Sequence, residues 1–421
     1  MANSVCVIGG GTSGMMAAIA AARAGLPVPQ CGTKAGAKVL LLEKGASLGR
    51  KLLATGNGRC NYTNRDLDLS HFHGDPSFIK TALEEFDGPH TLDFFRALGI
   101  EPYCDERGRY FPASLEAAAV LLALTREMEY LGVRVIVHSE IVGVDRIVGG
   151  PFAVRERGKA HEADAVIVAC GGRAAPQLGA GGAGYNIAQA LGHKVTPVRA
   201  ALVPVELVGP WFHKLQGVRM DAGLTISRGK AILARLTGEV LFANYGISGP
   251  LALCASRLIG DGDCELEMSF LPGRETDAAL SLLKARASAL RHRTAGDFLT
   301  GILPAKVGWM IVGQSGIPHE TPCAKMTDRQ LSELARNLAH WPIQVKGLRP
   351  FKDAQVTVGG VATSEIDPRT MESKLVPGLF FCGEVMDVDG DSGGYNLQWA
   401  WTTGFIAGRS ACARVQSSPT R

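Results

Sequence analysis

The 421-residue sequence lacks several patterns that would place it in other protein classes. Its ten cysteines include no Cys-x-x-Cys pair, which argues against a zinc ribbon and against a dithiol redox centre of that spacing. It has no lysine- or arginine-rich tract, and its net charge is only +4, so we expect no nucleic-acid partner. It contains no internal repeat and no low-complexity segment. We therefore expect a folded protein without a bound metal.

Long apolar runs are also missing. No uninterrupted run reaches the ~18 residues that a membrane-spanning helix needs. The largely apolar residues 5–22 have no basic segment before them and are broken by three consecutive glycines, which argues against a signal peptide. We expect a cytoplasmic protein with no membrane partner. Apolar residues make up 46% of the chain, and its length predicts two or three domains of roughly 150 residues each.

Glycine, in contrast, is abundant, and the first glycine cluster is the strongest motif in the sequence. Residues 9–14 match G-x-G-x-x-G between a predicted buried strand, 4–8, and a predicted helix, 12–24. In this motif the glycines form a tight turn and let the backbone approach a pyrophosphate, while the helix N-terminus offers free N–H groups. The predicted contacts are Gly9, Gly11, Thr12, Ser13 and Gly14.

An acidic residue, Glu43, follows the next predicted strand, residues 38–42, where it can accept hydrogen bonds from ribose hydroxyls. It comes later than the ~20 residues after the motif that are typical. We interpret residues 26–37 as a surface insertion that accounts for the excess. A glycine turn without a nucleotide is the alternative, but the strand–helix–strand context favours a dinucleotide site. Lys44 is part of the predicted site.

Basic and amide residues come next. Gly49, Arg50 and Lys51 would lie close to a bound pyrophosphate. Residues 57–61 offer backbone amides and carboxamides to the polar edge of a flavin ring. A solvated basic loop is the alternative. The predicted contacts of this second segment are Asn57, Gly58, Arg59, Cys60 and Asn61.

The third motif lies near the C-terminus. A predicted strand ends in Gly383 and Glu384, whose carboxylate can bond to a ribityl chain. The final predicted helix, residues 397–415, is opened by a glycine pair, and its N-terminus can stabilise negative charge on a reduced flavin. A strand–turn–helix packing unit is the alternative. The predicted contacts of this motif are Gly383, Glu384, Gly394, Tyr395, Asn396 and Leu397.

A second G-x-G-x-x-G, at residues 179–184, has no strand running directly into it, so we do not interpret it as a nicotinamide nucleotide site.

The sequence resembles the bacterial BaiN-type NAD(P)/FAD-dependent oxidoreductases, which include aminoacetone oxidases, over nearly its whole length. The resemblance is carried by VIGGGTSGMMAA, LLLEKG, GRKLLATGNGRCNYTN and VPGLFFCGEVMDVDGDSGGYNLQWAWTTGFIAG. It implies an α/β fold in which a Rossmann-like FAD-binding domain carries an inserted β-barrel-like domain with a small helical domain. The patterning predicts FAD-binding segments at 1–195 and 342–421, the latter also returning through the β-rich domain. It predicts a β-rich substrate domain at 196–274 and a helical insertion at 275–341. Val142, Ala169 and Gly171 complete the predicted FAD contacts.

Two residues depart from the family pattern. Asn244 stands where the family usually has His, and Ala183 where it has Asp. A His can transfer protons near neutral pH, whereas Asn cannot. Either the mechanism or substrate differs here, or the His of relatives is structural. At Ala183 one polar contact is missing.

We predict an FAD-dependent oxidoreductase that transfers hydride between the flavin and a small-molecule organic substrate, with NAD(P)H as a candidate transient co-substrate. An amine or aminoketone oxidase that uses dioxygen is an alternative, since no separate nicotinamide domain is recognisable. A non-catalytic flavin-binding sensor or interaction protein is another. The weak basic charge disfavours a tRNA-modifying flavoprotein. Among candidate catalytic residues, Arg109 could anchor an anionic group or belong to a surface turn, whereas Tyr395 and Asn61 would lie beside the ring.

Overall fold

A computed structural model describes residues 4–23, 37–147, 150–209, 211–260 and 264–417. The chain forms two compact units, Met1–Arg199 with Gln355–Arg421, and Ala200–Ala354. The predicted insertion at 26–37 lies outside the described residues apart from Ala37. The sequence also predicts a turn at 148–151, because it contains a glycine pair, and the centre of that turn lies outside the described residues as well. The predicted finer division of the second unit, at 274 and 341, stays a prediction.

Helices and strands are numbered here in chain order. The helices are α1 Thr12–Ala22, α2 Arg50–Ala54, α3 Pro76–Glu85, α4 Gly88–Ala97, α5 Ala117–Tyr130, α6 Ala183–Ala190, α7 Phe212–Leu215, α8 Gly249–Ile259, α9 Thr276–Ala289, α10 Ala305–Gln314, α11 Asp328–Ala339 and α12 Tyr395–Ser417. The strands are β1 Ser4–Ile8, β2 Lys38–Leu42, β3 Thr63–Asn64, β4 Phe72–His73, β5 Pro102–Cys104, β6 Arg109–Pro112, β7 Arg134–Ile136, β8 Ile141–Arg146, β9 Phe152–Glu156, β10 Lys159–Ala163, β11 Ala165–Val168, β12 Arg199–Ala201, β13 Val205–Leu207, β14 Arg219–Arg228, β15 Ala231–Ala243, β16 Gly246–Ser248, β17 Glu265–Ser269, β18 Trp341–Ile343, β19 Val345–Leu348, β20 Val356–Val358, β21 Leu379–Phe381 and β22 Asp389–Gly390.

A five-stranded parallel sheet forms the centre of the first unit, in the order β21-β11-β1-β2-β7. Every residue of β11 and β21 is buried, which explains why these strands are continuous apolar runs rather than alternating ones. Val7 of β1 pairs with Leu41 on one side and Ile167 on the other. Because the strands are parallel, the carboxyl ends of β1, β2, β11 and β21 meet at one edge of the sheet, where ligands bind in open α/β folds.

Helices α1 and α12 pack against each other at very short range. Almost all of α1 is buried. A Cβ placed on Gly404 of α12 would lie 2.5 Å from the Ser13 carbonyl oxygen, and one on Gly408 would lie 2.2 Å from that of Ala17. The two glycines therefore let the last helix of the chain lie directly on the backbone of the first one, which ties the C-terminal segment to the glycine turn.

The second unit contains a seven-stranded antiparallel sheet in the order β18-β17-β14-β15-β16-β13-β19. Its edge strands, β18 and β19, are separated along the chain by Gln344 alone. The Gln344 carbonyl accepts a hydrogen bond from the Val208 N–H at 2.8 Å. The sheet must therefore curl round until its two edges meet, which makes it barrel-like as expected. Helices α9, α10 and α11 form the helical part between β17 and β18.

Some predicted elements are wrong. The region predicted to be β-rich includes two long strands, since β14 has 10 and β15 has 13 residues. Helix α8 was missed, although its buried residues Leu251, Ala252 and Ala255 follow helical spacing. A short apolar run cannot be assigned to strand or helix from periodicity alone. Helix α12 begins two residues before the predicted start at Leu397 and continues through Ser417, two residues beyond the predicted end.

Candidate functional site

Close backbone contacts shape the turn between β1 and α1. Gly9 has a φ of 112°, and its N–H donates to the Leu42 carbonyl at 2.8 Å. A Cβ on Gly14 would lie 1.9 Å from the Gly9 carbonyl oxygen, so no larger residue lets the helix start here. At Gly11, in contrast, a Cβ would meet no atom within 4 Å. The turn is tightly packed on its strand side and open on the other, which leaves room for a ligand.

The start of α1 suits an anion. The helix begins at Thr12 with no side-chain cap and no acidic residue in its first turn. Its first N–H groups and the positive end of the helix dipole can therefore bind a phosphate. The Ser13 hydroxyl donates to the Cys382 carbonyl at 3.4 Å, which fixes this helix start beside the end of β21.

The Glu43 carboxylate lies directly against the glycine turn. Its Oε2 accepts a hydrogen bond from Gly10 N and its Oε1 one from Gly45 N, both at 2.7 Å. Each carboxylate oxygen has a further lone pair, so Glu43 can still accept bonds from hydroxyl groups. The next residue, Lys44, points elsewhere: a Cβ on Gly181 would lie 2.9 Å from its Nζ. Lys44 thus reaches the second glycine-rich segment.

Glu384 follows β21 and forms an ion pair with Lys51. The Lys51 Nζ lies 2.7 Å from Glu384 Oε2, and Glu384 Oε1 accepts a hydrogen bond from Thr357 N at 2.9 Å. The two ionic side chains are 32% and 20% exposed, so water screens the pair in part. Arg50 has a different partner, since its guanidinium donates to the Gln177 carbonyl at 2.7 Å. The two basic residues that follow Gly49 therefore bind different segments of the chain, Arg50 the one at Gln177 and Lys51 the one at Glu384.

The loop after α2 changes direction through left-handed backbone. Gly56, Asn57 and Gly58 have φ values of 57°, 56° and 83°, and Cys60 has 59°. Such a conformation costs of order 1–3 kcal/mol for a non-glycine residue, so surrounding contacts must maintain it. One of them is the hydrogen bond from Cys60 N to the Thr55 carbonyl at 3.0 Å. Contacts within the protein therefore maintain this loop conformation, in which Asn57 and Gly58 are exposed at the surface.

Arg59 and Cys60 have structural surroundings. The Arg59 guanidinium lies 5.2 Å from the centre of the Phe111 ring, and its Nε donates to the Gly56 carbonyl at 3.1 Å. Burial raises the pKa of the Cys60 thiol to about 12, although a hydrogen bond with Thr55 acts in the opposite direction. Cys60 is therefore a protonated, unreactive thiol near neutral pH.

Asn61 lies against the residues that open α12. Its Oδ1 is buried and has no hydrogen-bond partner among the described residues. A Cβ on Gly394 would lie 2.9 Å from this oxygen and 2.6 Å from the Thr63 carbonyl. A buried acceptor without a donor costs about 1–3 kcal/mol, so a ligand N–H at this position would be favourable. The first turn of α12 carries no acidic residue, which leaves its positive end uncompensated.

Tyr395 and Asn396 fix the turn that leads into α12. The Tyr395 ring is buried and stacks on His71, with centroids 4.4 Å apart and planes 17° apart. Asn396 Oδ1 accepts from Gly390 N at 2.9 Å, and its Nδ2 donates to the Gly390 carbonyl at 2.7 Å. Leu397 packs on the main core. The side chains thus hold the helix start in place, and the helix backbone is what can face a ligand.

Arg109 lies in β6, in register with Asn64 of β3. Its guanidinium pairs with Asp105 at 2.6 Å inside the hairpin. Burial alone would raise the pKa of Asp105, but hydrogen bonds from Arg109 and from the Arg107 N–H bring that pKa below its usual value. The structure thus places Arg109 opposite Asn64, with its charge already paired to Asp105.

The remaining predicted contacts fall in two places. Ala169 and Gly171 follow β11, and a Cβ on Gly9 would lie 2.4 Å from the Ala169 carbonyl oxygen. A Cβ on Gly171 would meet no atom within 4 Å, so this residue also borders open space. Val142 belongs to a different, three-stranded sheet, where it sits at a bulge and is 53% exposed.

Sequence reasoning missed Thr357 and Tyr185. The Thr357 hydroxyl accepts hydrogen bonds from the N–H groups of Arg173 and Ala174 at 2.8 and 3.0 Å, and its own N–H donates to Glu384. Burial, and then the charge of Glu384, raise the pKa of Tyr185. The only sequence signal was Thr357 itself, a polar residue at a strand position that proves to be buried. A second missed group, around His71, is described below.

Within the described ranges no helix combines the length and hydropathy required to cross a membrane. In the same ranges no three His, Cys, Asp or Glu side chains are arranged to hold a metal ion. Asn244 lies in the turn between β15 and β16, and Ala183 is the first residue of α6.

A model of the HI0933-like protein Rossmann domain matches residues 3–410. The 3-dehydro-bile acid delta(4,6)-reductase of Clostridium scindens is 38% identical over 98% of this chain and 100% of its own. The ribosomal RNA dihydrouridine synthase of Escherichia coli is 32% identical over 98% of both chains. Among solved structures, the 3-ketosteroid delta1-dehydrogenase of Sterolibacterium denitrificans has a TM-score of 0.51 at 12% identity and covers 98% of this chain and 100% of that one. At that identity the likeness concerns the fold.

Proposed function

Because the chain belongs to the HI0933-like Rossmann-domain family, we propose that it is an FAD-dependent reductase that saturates a carbon–carbon double bond conjugated to a carbonyl group. We further propose that NADH or NADPH is the reductant and that the substrate is a small organic molecule. The sheet edge would hold the cofactor, and residues of this chain would set its position and electrostatics.

The names of two relatives support this choice of reaction. A delta(4,6)-reductase of a 3-dehydro-bile acid acts on double bonds that begin beside a carbonyl group. A dihydrouridine synthase forms a nucleoside with two more hydrogens than uridine. The double bond of the uracil ring in uridine is also conjugated to a carbonyl. Conjugation makes the far alkene carbon electrophilic, so both names describe substrates that can accept a hydride there. A bound flavin supplies such a hydride.

The observation that carries the cofactor assignment is the order of polar groups along the sheet edge. Glu43, the start of α1 and the Lys51–Glu384 pair lie at or beside the carboxyl ends of parallel strands, and Asn61 lies against Gly394 before the start of α12. Dinucleotides bind at this edge in Rossmann-type folds. These groups are suited, in that order, to a ribose, a pyrophosphate, a ribityl chain and the polar edge of a flavin ring.

Each of these groups would act by binding or by charge. The N–H groups at the start of α1 would bind the pyrophosphate, and Glu43 would accept bonds from ribose hydroxyls. Lys51 would orient Glu384 toward the ribityl chain through their ion pair. The buried Oδ1 of Asn61 would accept a bond from a ring N–H. The positive end of α12 would stabilise negative charge on the reduced ring.

Anaerobic spectroscopy tests this proposal directly. The purified protein should carry FAD, and NADH or NADPH should bleach the flavin absorbance. Adding a conjugated enone, such as a 3-keto-4-ene steroid, should then restore it. Bleaching by an aminoketone but by neither nicotinamide nucleotide would favour the oxidase alternative. Reoxidation only by uridine-containing RNA would replace the small-molecule substrate with a nucleic acid. A protein that cannot be loaded with FAD would contradict the cofactor assignment.

A further inference from the structure

Two imidazoles share one carboxylate immediately before α12. His71 Nδ1 lies 3.1 Å from Asp391 Oδ2, and His73 Nε2 lies 2.9 Å from Asp391 Oδ1. The three side chains are 32%, 24% and 31% exposed, so they can exchange protons with water. Burial alone would raise the pKa of Asp391, but the hydrogen bonds with His73 and His71 hold it below its usual value. The carboxylate therefore stays ionised and needs only one N–H from each ring.

This cluster, defined as His71, His73 and Asp391, is attached to the first turn of α12. The His71 ring stacks on Tyr395, the first residue of the helix. Asp391 N donates to the His71 carbonyl at 2.9 Å, and Asn396 Nδ2 donates to the Asp391 carbonyl at 3.2 Å. A change of charge in the cluster therefore changes the electrostatic potential at the start of α12, which would face the reduced flavin.

The neighbouring segments place further titratable groups around the cluster. Asp66 Oδ2 lies 3.6 Å from His71 Nε2, the ring nitrogen not used for Asp391. Asp68 also faces His71, and Asp389 is paired in register with His73. Tyr395 contributes a phenol from α12.

We propose that the His71–His73–Asp391 cluster takes up one proton from solvent whenever the bound flavin is reduced, an inference that rests on the proposed function. The hydride brings two electrons and one proton to the flavin, which leaves one negative charge on the ring. The cluster balances it by passing from a net charge of −1 to 0 as one imidazole is protonated. When the hydride leaves, that proton returns to solvent. No bond between the cluster and the flavin forms or breaks, so His71 and His73 are positioning residues.

The pH dependence of the flavin midpoint potential tests this coupling on the full-length, FAD-loaded protein. Each proton taken up with two electrons changes the equilibrium constant tenfold per pH unit, which is about 30 mV. Wild type should therefore show a slope clearly steeper than about 30 mV and at most about 60 mV per pH unit near pH 7, together with the absorbance spectrum of an anionic reduced flavin. The double variant His71→Gln/His73→Gln, which keeps amide donors for Asp391, should show a slope of about 30 mV per pH unit.

His90 supplies the control, because it pairs with Asp87 at 2.7 Å in the same unit but on α4. His90→Gln should keep the wild-type slope. A wild-type slope of about 30 mV per pH unit would overturn the inference without any variant, as would the spectrum of a neutral reduced flavin. An unchanged slope in the double variant would also overturn it. All three outcomes leave FAD binding and reduction intact, whereas a protein without FAD would contradict the proposed function itself.

Discussion

Replacing Asn61 with Leu should separate the stability of the protein from its affinity for FAD. In the cofactor-free protein the Asn61 Oδ1 is buried without a donor, which costs about 1–3 kcal/mol. Leu has the same number and branching of heavy atoms as Asn but no polar side-chain atom, so the variant removes this cost. We expect the free energy of unfolding of the FAD-free protein to stay equal or to rise by about 1 kcal/mol, as measured by denaturant titration.

The affinity for FAD should change in the opposite direction. A hydrogen bond between a ring N–H and the Asn61 oxygen would be lost, and the N–H would be buried without an acceptor. That costs about 1–3 kcal/mol, which corresponds to a rise of roughly 5- to 150-fold in the FAD dissociation constant. Titration of the FAD-free protein with FAD, followed by flavin fluorescence, measures this change.

Asn64 provides a matched control three residues along the same segment. Its Nδ2 donates to the Gly393 carbonyl at 2.8 Å and its Oδ1 accepts from Asp66 N at 3.1 Å, so its hydrogen bonds are made within the protein. Asn64→Leu should therefore lower the free energy of unfolding. If Asn61→Leu instead destabilised the FAD-free protein as Asn64→Leu does, or left the FAD affinity unchanged, Asn61 would not be a ligand-binding residue.

Three further predictions concern the ion pair, the helix packing and the buried thiols. Lys51→Met should weaken FAD binding more than Lys51→Arg, because only Arg keeps a cation for Glu384. Lys51→Met should also lower the free energy of unfolding by no more than about 1 kcal/mol, which denaturant titration can test. Gly404→Ala should lower the free energy of unfolding by about 1–3 kcal/mol or more, because its Cβ would overlap α1, whereas Gly347→Ala, where a Cβ meets no atom within 4 Å, should not. Burial raises the pKa of Cys60 from 9.0 to about 12. The thiol then ionises in the unfolded chain before it does in the native one, so stability should be full below pH 9 and fall between about pH 9 and 12 in a pH series of thermal melts, and Cys60→Ala should reduce that fall.

The sequence was informative wherever local pattern and global fold agree. The buried strands, the glycine turn and the final helix are each encoded by contiguous residues. They were the basis for predicting the α/β fold class, the resemblance to the BaiN-type family and an oxidoreductase. The family match and the relatives confirm these three predictions. Glu43 lies against the turn as its position after β2 suggested. The individual FAD contacts stay predictions.

The rest of the site depends on contacts between distant parts of the chain. His71 and Asp391 are brought together by the β4–β22 ladder, which pairs two-residue strands that no periodicity can reveal. Thr357 reaches Glu384 through its backbone N–H, a group that every residue but proline has. The contacts by which Tyr395 and Asn396 support the turn likewise depend on partners at residues 71 and 390.

The division of the first unit into two chain segments determines when the candidate site can exist during synthesis. As the ribosome extends the chain, β1, β2 and β11 emerge early, but β11 lacks its neighbour β21 and α1 lacks the cover of α12. The continuous residues 200–354 are complete before either missing piece is made. Before β21 and α12 are synthesised, the nascent chain has an open sheet edge and an uncovered Ala- and Met-rich helix. Such surfaces favour association with other chains. Because Glu384 and α12 follow residues 200–354 in the chain, we expect a cofactor at this sheet edge to bind only after that unit has been synthesised.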